Sequence, residues 1–509
     1  MTAVPARAPA RLGAAALDSP AAAAAIYAAL VALAAAPVWL WPIPRATDIV
    51  NHWARLTLYN ASPGDPVAGL YRLHFGLIPN LGIDALYLAL APLLSAQDVA
   101  RLALALAIVL PALGAWAIHR ALFDKPSPTI WLVPFLSYNV ATSAGLVNFS
   151  LGMGLAFLGL AFVLARLDRL SWRDAVALNG IGAALFFCHL IAWAAFAGLL
   201  GLILAGSSLR PRALARRIGF AVASQVVPLA LAALREAPPA TYSMGDRSSF
   251  GFLAAPVAAM AGPWDLVAEI CLLGMGAAAV AYGARLSPRA QFAVVGFALA
   301  AWLAPASHGA ATLIDARLKV YVWYFALAAT SLNSAQSVRV IVASVAVVMT
   351  AARVAWVAPA WIAMQDRAQT VRAALVALPP GARALVVTPA NCRDPGLTWT
   401  TALLPFAVID RRAYINTLFA QSGIQPVPPA DPALDGGPTL PMDARWLSEA
   451  GRAELPVHLT AAPWAPAYID WRRHFTHVID ERGACASTLD AAGLTRLGGG
   501  GGLDIYRID

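Results

Sequence analysis

Long apolar runs separated by short polar loops dominate the first 360 residues of the chain. A helix needs about 20 predominantly apolar residues to cross the hydrocarbon core of a bilayer. The pattern therefore predicts an α-helical polytopic membrane protein with about eleven transmembrane helices. The predicted spans are 21–42, 99–121, 129–145, 148–166, 174–188, 190–206, 214–234, 263–284, 290–305, 318–333 and 337–361. The apolar stretch 83–94 is too short to cross, and we interpret it as a juxtamembrane helix.

The pattern changes after the last span, where short strand-like runs replace long apolar ones. Residues 367–378 have helical spacing and end at two prolines and a glycine. The runs 384–388, 477–480 and 503–508 predict strands. We therefore predict a small C-terminal α/β soluble domain. The predicted domains are a cytoplasmic tail 1–20, a transmembrane domain 21–363 with an outer loop 43–98, and a soluble extracytoplasmic domain 364–509.

Composition supports the membrane assignment. Hydrophobic residues make up 60% of the chain and charged residues only 12%, against about 25% charged in ordinary soluble domains. The net charge of +9 could also indicate a nucleic-acid partner. No basic patch with interleaved aromatic residues occurs in the sequence, so we predict no nucleic-acid binding and attribute the excess arginine to membrane topology.

The cations fall mainly in alternate loops, and such loops face the cytoplasm. They are Arg120, Lys125, Arg166, Arg169, Arg173, Arg210, Arg212, Arg216, Arg217, Arg285, Arg289 and Arg339. This distribution predicts a cytoplasmic N-terminus, and an odd number of spans then places the C-terminal domain on the opposite side. There, Cys392 and Cys485 can form a disulfide. Cys188 and Cys271 lie in apolar spans and are interpreted as packing residues.

Ionisable residues at membrane depth are costly and are usually paired, buried or functional. The predicted topology gathers a set of polar residues at the outer ends of the spans. They are Asp48, His52, Arg55, His74, Asn148, His189, His308, Asp315, Arg317, Lys319 and Tyr321. Their common depth makes them the candidate functional residues.

Two interpretations stay open for each group. The spacing of Asp48, His52 and Arg55 places them on one helix face, as a catalytic carboxylate with a histidine and a cation, or as an ordinary polar face. Arg317 and Lys319 either face a phosphate, or Asp315 and Arg317 form a mutual or interfacial ion pair at a helix start. Asp48 and His52 could together face a divalent metal, but no further ligand follows at a recognised spacing. We therefore assign no cofactor.

The layout resembles the GT-C class of multi-spanning glycosyltransferases, which use polyprenyl-phosphate sugars. The matching pieces are DIVNHWAR at 48–55, LYLALAPLL at 86–94, DVARL at 98–102 and HRALF at 119–123. The chain is also similar to a group of bacterial membrane proteins, through GLVNF at 145–149, CHL at 188–190 and IDARL at 314–318. The resemblance covers roughly residues 20–360, in layout more than in extended motifs.

The resemblance implies a glycosyltransferase of the bacterial inner membrane with a periplasmic C-terminal domain. Asp48 would be the general base and His52 a second catalytic residue. The substrate-binding residues would be Arg55, His74, His189, His308, Asp315, Arg317, Lys319 and Tyr321. The expected partners are the lipid bilayer, a polyprenyl-phosphate sugar donor, and a saccharide, lipid or protein acceptor.

The chain departs from the class in two respects. Asp48 has no adjacent second acidic residue, and no donor-binding signature is recognisable. A lipid or saccharide transporter and a non-catalytic envelope assembly protein on a similar scaffold are the alternatives. Transporters often contain internal repeats, and the sequence shows no clear repeat that would favour this alternative.

Overall fold

The computed structural model describes residues 19–208, 210–235, 242–244, 249–260, 262–308, 311–389, 392–454, 462 and 464–509. The fold is predominantly helical, with a sheet region near the C-terminus. The α-helices are α1 Pro20–Leu40, α2 Ile49–Leu58, α3 Gly82–Leu90, α4 Ala96–Leu122, α5 Val140–Ser143, α6 Val147–Arg166, α7 Trp172–Cys188, α8 Leu190–Gly206, α9 Pro211–Ala223, α10 Val226–Leu234, α11 Ser249–Ala254, α12 Pro263–Ala281, α13 Gln291–Leu303, α14 Ile314–Ala328, α15 Gln336–Leu375, α16 Leu397–Thr401, α17 Phe406–Arg411, α18 Glu449–Ala453, α19 Ala465–Ile469 and α20 Trp471–His474.

The strands are short until the C-terminal sheet. They are β1 Tyr242–Met244, β2 Ala284–Leu286, β3 Pro305–His308, β4 Thr330–Leu332, β5 Arg383–Thr388, β6 Tyr414–Ile415, β7 Met442–Asp443, β8 His477–Glu481, β9 Leu494–Gly500 and β10 Leu503–Ile508. The four 3-10 helices in the described residues are Pro128–Leu132, Pro134–Ser137, Pro432–Leu434 and Ala444–Leu447.

In the part of the chain that the structure describes, five helices are long and apolar enough to cross a membrane: α1, α4, α6, α12 and α15. The pair α9 and α10, bent by 51°, makes a sixth if it is counted as one span. Such helices are compatible with a multi-pass membrane protein, but the predicted count of eleven is not confirmed.

The difference has local physical causes. The predicted span 129–145 is divided because Pro128 and Pro134 each open a 3-10 helix, and Asn139 caps the short α5 through its side chain. The apolar stretch 174–206 breaks at His189, whose extended backbone separates α7 from α8. The spans predicted at 290–305 and 318–333 correspond to α13 and α14, of 13 and 15 residues. The last predicted span and the helix predicted at 367–378 are joined in the 40-residue α15.

The chain forms two compact units. The helical unit comprises the residues up to Leu40 together with Leu104–Pro359. Its helix α6 is buried along most of its length and packs closely against α4. A Cβ atom at Gly154 would lie 2.5 Å from Leu110 Cβ, and one at Gly114 would lie 2.5 Å from Phe157 Cβ. Glycine at both positions therefore lets the two helices approach each other.

The α/β unit combines Trp41–Ala103 with Ala360–Asp509. Its six-stranded sheet has the order β6-β5-β8-β10-β9, with β7 also pairing with β5. Strand β5 is parallel to β6, β7 and β8, whereas β10 is antiparallel to β8 and β9. The three predicted strands are confirmed as β5, β8 and β10, and the predicted juxtamembrane helix is α3.

A disulfide joins the loops that follow β5 and β8. Cys392 and Cys485 are bonded, with their Cα atoms 5.9 Å apart, so the pairing that the sequence allowed is present. Cys188 is buried and Cys271 half-buried, and both are free thiols.

Candidate functional site

Asp48 lies at the N-terminus of helix α2. Its backbone carbonyl accepts a hydrogen bond from the His52 N–H at 3.0 Å. Asp48 is the N-cap residue of the helix, and it is half-buried. The positive end of the helix dipole favours a negative charge there. His52 and Arg55 follow at helical spacing, and both are buried. Asp48 therefore flanks the helix, and His52 and Arg55 lie within it.

Arg55 is enclosed in a network of its own within the α/β unit. Its guanidinium donates to both carboxylate oxygens of Asp84, at 3.0 and 2.8 Å, and to the side-chain oxygen of Gln425. The Tyr59 hydroxyl donates to Asp84 at 2.9 Å. The side chains of Arg55 and Asp84 are only 2% and 1% exposed. This bidentate, buried geometry is typical of a structural ion pair.

The network shows what the sequence analysis missed. Asp84 lies in the first turn of α3, 29 residues after Arg55, and no sequence spacing links the two. Burial and the nearby Asp84 charge raise the pKa of Tyr59 well above its usual value, so this phenol stays a hydrogen-bond donor at physiological pH. The candidate substrate cation thus serves to hold α2, α3 and Gln425 together.

His74 lies on the surface of the α/β unit. Its backbone N–H donates to the Pro426 carbonyl at 2.9 Å, and the Arg72 N–H donates to the Pro428 carbonyl at 3.0 Å. These bonds run the stretch 70–74 antiparallel to 426–430, with the His74 side chain exposed.

The second group of candidates lies in the helical unit, on α14. Asp315 and Lys319 form an ion pair one helical turn apart, at 2.8 Å. Arg317 is buried, and its guanidinium lies 3.1 Å from His189 Nε2. The guanidinium carbon is also 5.7 Å from the centroid of the Phe149 ring. The structure therefore brings His189 and Arg317 together.

Both imidazole nitrogens of His189 face donors. Nε2 faces Arg317, and Nδ1 lies 3.2 Å from the Ile191 N–H at the start of α8. An imidazolium donates through both nitrogens and does not fit these surroundings. A neutral imidazole fits with one nitrogen accepting, so His189 acts here as a hydrogen-bond acceptor in the cluster.

Tyr321 and His308 differ from that cluster. Tyr321 is fully buried, with its ring 4.8 Å from Phe157 and 5.8 Å from Phe297, centroid to centroid. Among the described residues its hydroxyl has no hydrogen-bond partner. His308 is exposed at the end of β3, where its backbone pairs with Ala311. Tyr321 is thus a core residue, and His308 is a surface residue.

A further buried cation, Arg353 on α15, was not singled out by the sequence analysis. Its guanidinium donates to the Tyr138 carbonyl at 2.9 Å and to the Val257 carbonyl, and it lies 3.4 Å from the Asp265 carboxylate. These partners satisfy a charge inside an apolar helix, so Arg353 is a structural residue of the helical unit.

The α/β unit also contains a buried carboxyl group at the end of strand β8. Glu481 is fully buried, and the Thr401 hydroxyl lies 2.8 and 2.9 Å from its two carboxylate oxygens. Burial raises the pKa of Glu481 to about 8. The residue immediately follows the predicted strand 477–480, but only the fold reveals that it is buried.

No group of three or more histidine, cysteine or acidic side chains able to hold a metal occurs among the described residues. We therefore derive no metal chemistry from the site. The chain matches no known family model, no curated protein and no solved structure.

Proposed function

We propose that the chain is a multi-pass membrane glycosyltransferase that moves a sugar from a polyprenyl-phosphate donor to an extracytoplasmic acceptor. The proposal depends chiefly on Asp48. This half-buried carboxylate lies at the start of α2, in the segment that connects the first two candidate spans, α1 and α4. A carboxylate in this position is able to act as a general base.

The proposed reaction is a direct displacement. The acceptor hydroxyl oxygen attacks the anomeric carbon of the donor sugar, and the bond from that carbon to the phosphate oxygen breaks. Asp48 takes the hydroxyl proton, and the electron pair of the broken bond leaves with polyprenyl phosphate. A base in hydrogen-bond reach of the attacking hydroxyl typically contributes about 10²–10⁴-fold to the rate.

The departing phosphate needs positive charge, which a guanidinium or ammonium group can supply. Arg55 is not part of the proposal, because its guanidinium is bound by Asp84 and Gln425.

The two chain segments that form the α/β unit support an odd number of membrane crossings. Residues 41–103 and 360–509 form one compact unit, so both segments must lie on the same side of a bilayer. The chain must then cross an even number of times between them and once before them. Five spans and eleven spans both meet this condition, but of the two only eleven also places Arg166, Arg169 and Arg173 on the side opposite the α/β unit. Six spans, obtained by adding the pair α9–α10, would need one more crossing.

Two observations support an extracytoplasmic α/β unit. The arginine-rich loops mark the opposite side as cytoplasmic, and disulfides such as Cys392–Cys485 persist mainly in oxidising compartments. We therefore propose the bacterial inner membrane, with the α/β unit in the periplasm.

The test is release of polyprenyl phosphate from a panel of synthetic polyprenyl-phosphate sugars. The reconstituted protein is supplied with envelope saccharides and lipids as acceptors. Asp48→Asn should lower the rate about 10²–10⁴-fold. Asp98→Asn is the matched control, because Asp98 is also half-buried and lies in the first turn of a helix, α4.

A wild-type rate in Asp48→Asn would remove this residue from the catalytic role. Absence of release by the wild-type protein from every donor would contradict the glycosyltransferase proposal. Movement of an intact donor across the vesicle bilayer would instead support the transporter alternative.

A further inference from the structure

A small cavity lies inside the α/β unit, at the amino ends of strands β5 and β6. Its volume is about 200 Å³. The polar side chains that line it are Arg383, Tyr414 and Asp431, and Leu70 and Leu434 supply apolar walls. None of these residues belongs to the candidate site around Asp48.

Backbone contacts position the residues that line the cavity. Arg383 and Tyr414 are register partners in the parallel pair β5–β6, so their side chains start from neighbouring positions. The Ala430 N–H donates to the Leu70 carbonyl at 2.9 Å, which holds the 69–70 backbone beside Asp431. Gly381 has a φ of +73°, and a Cβ atom there would lie only 3.2 Å from Pro66 Cβ. Both features favour glycine at this position.

Asp431 is fixed as a charged acceptor. One carboxylate oxygen lies 2.9 Å from His474 Nδ1, and the other accepts from the Ala433 N–H at 3.0 Å. Burial alone would raise the pKa of Asp431. The hydrogen bonds from His474 and Ala433, with the charges of His474 and Arg383, outweigh burial and lower that pKa. Asp431 is therefore ionised at neutral pH, and each oxygen keeps capacity for a further hydrogen bond.

Arg383 supplies the complementary donor. Its guanidinium is half-buried at the cavity, and within the described part of the chain it makes no hydrogen bond or ion pair closer than 4 Å. Its backbone, in contrast, is bonded to Thr476. The cavity thus presents free guanidinium donors beside a carboxylate acceptor.

This pairing selects for a particular ligand chemistry. A simple anion would gain Arg383 but would be repelled by Asp431. A neutral molecule with adjacent hydroxyl groups can accept from the guanidinium and donate to the carboxylate at the same time. The volume is below the roughly 300–1,000 Å³ of pockets for drug-sized ligands, which suits one sugar ring. The Tyr414 side chain adds an aromatic surface for the ring carbons.

We propose that this cavity binds a monosaccharide, either free or as a terminal unit of a saccharide, between Arg383 and Asp431. The proposal goes beyond sugar transfer and does not require Asp48 to be a base. A saccharide-binding α/β unit is equally compatible with a non-catalytic envelope protein.

The test measures ligand binding to the full-length protein in lipid nanodiscs, which avoids sugar-based detergents. The probes are D-glucose, D-galactose, D-mannose and D-ribose, with inorganic phosphate and acetate as anionic comparisons. Saturation-transfer NMR detects their binding. At least one sugar should bind with a dissociation constant below about 10 mM. Arg383→Gln and Asp431→Asn should each weaken that binding about tenfold or more.

A steric variant keeps both charges in place. A Cβ atom at Gly69, which lines the cavity, would have no atom within 4 Å, and the same holds at Gly64 in the same loop, which does not line it. Gly69→Phe should abolish sugar binding, whereas Gly64→Phe should leave it unchanged. Thermal unfolding of each variant checks that the α/β unit is folded.

Three results would overturn the proposal. They are no binding of any of the four sugars, tighter binding of phosphate or acetate than of every sugar, and equal sugar binding by Gly69→Phe and Gly64→Phe. Since the assay contains no lipid donor, each of these results is separate from failure of the glycosyltransferase proposal.

Discussion

The helical unit and the α/β unit bury charged side chains by different means. In the helical unit, Arg353 is held mainly by backbone carbonyls, and Asp315 pairs with Lys319 one turn along the same helix. In the α/β unit, Arg55 is held by a carboxylate from another helix and by Gln425, 370 residues away. The first arrangement depends mainly on backbone carbonyls and on a pair within one helix, whereas the second depends on side chains from other segments of the chain.

The candidate cations differ in the partners that the fold gives them. Arg55 has a dedicated carboxylate partner that neutralises it. On α14, Lys319 pairs with Asp315 one helical turn away, and the Arg317 guanidinium lies 3.1 Å from His189 Nε2. Depth and spacing in the sequence made these cations equivalent candidates, but the partners in the fold distinguish them.

The largest predicted effect is loss of the Arg55–Asp84 pair. Asp84→Asn leaves a buried guanidinium without its countercharge, which should lower the free energy of unfolding by about 3–5 kcal/mol. Denaturant unfolding monitored by tryptophan fluorescence measures it. Asp410→Asn, which breaks the partly exposed pair with Arg372, should cost less than about 1 kcal/mol.

A double variant sharpens this prediction. Arg55→Met with Asp84→Leu removes both charges and should recover most of the lost stability. Equal destabilisation by Asp84→Asn and Asp410→Asn would show that Arg55 is not held as a buried pair, and its role as a substrate cation would then return.

The next effect concerns the covalent link in the α/β unit. The disulfide closes a loop between residues 93 positions apart, so Cys392→Ser with Cys485→Ser should lower the free energy of unfolding by about 2–4 kcal/mol. The same loss should appear when the wild-type protein is reduced with dithiothreitol. A double variant as stable as the wild type, with or without reductant, would contradict it.

In the helical unit, a substitution that disturbs the contact between two helices should lower stability. Gly154→Ala places a Cβ atom within 2.5–2.8 Å of Leu110 and Pro111 on α4, and such overpacking typically costs about 1–3 kcal/mol. Gly180→Ala on α7 meets no atom within 4 Å and is the matched control. Thermal unfolding in nanodiscs should separate the two variants, and equal midpoints would argue against the close α4–α6 approach.

Per pH unit, the smallest effect is a pH dependence in the α/β unit. Burial raises the pKa of Glu481 from an ordinary 4.5 to about 8, so the folded state binds a proton that the unfolded state releases between these values. Stability therefore falls as pH rises from about 5 to 8, by at most about 1.4 kcal/mol per pH unit from this group. Glu481→Gln should remove that part of the slope in unfolding curves taken across this range. An unchanged slope would mean that Glu481 does not carry the proton.

Sequence patterns predicted the elements that have their own signal. The runs of β-branched and apolar residues in β5, β8 and β10 are long enough to read as strands, and the short apolar helix α3 was recognisable by its length. Strands β6 and β7 have two residues each. No periodicity can reveal them, because they form only beside β5.

The span count could not be predicted as well, because apolar composition does not specify one continuous helix. Residues 129–145 are as apolar as a span, yet two prolines and an asparagine cap divide them. The partners of Arg55 lie 29 and 370 residues away, and the cavity brings Leu70 beside Arg383 and Asp431. Hydrophobic periodicity carries no information about such contacts.

The location of the α/β unit is the most direct test, because the proposed chemistry requires Asp48 on the extracytoplasmic side. A cysteine introduced at the exposed position Ser62, in the segment between α1 and α4, is treated with a membrane-impermeant maleimide in intact spheroplasts. A cysteine at exposed Arg212 on α9 serves as the predicted cytoplasmic counterpart. We expect labelling of Ser62→Cys without permeabilisation and of Arg212→Cys only after it. The reverse pattern would contradict the proposed orientation and the extracytoplasmic transfer that depends on it.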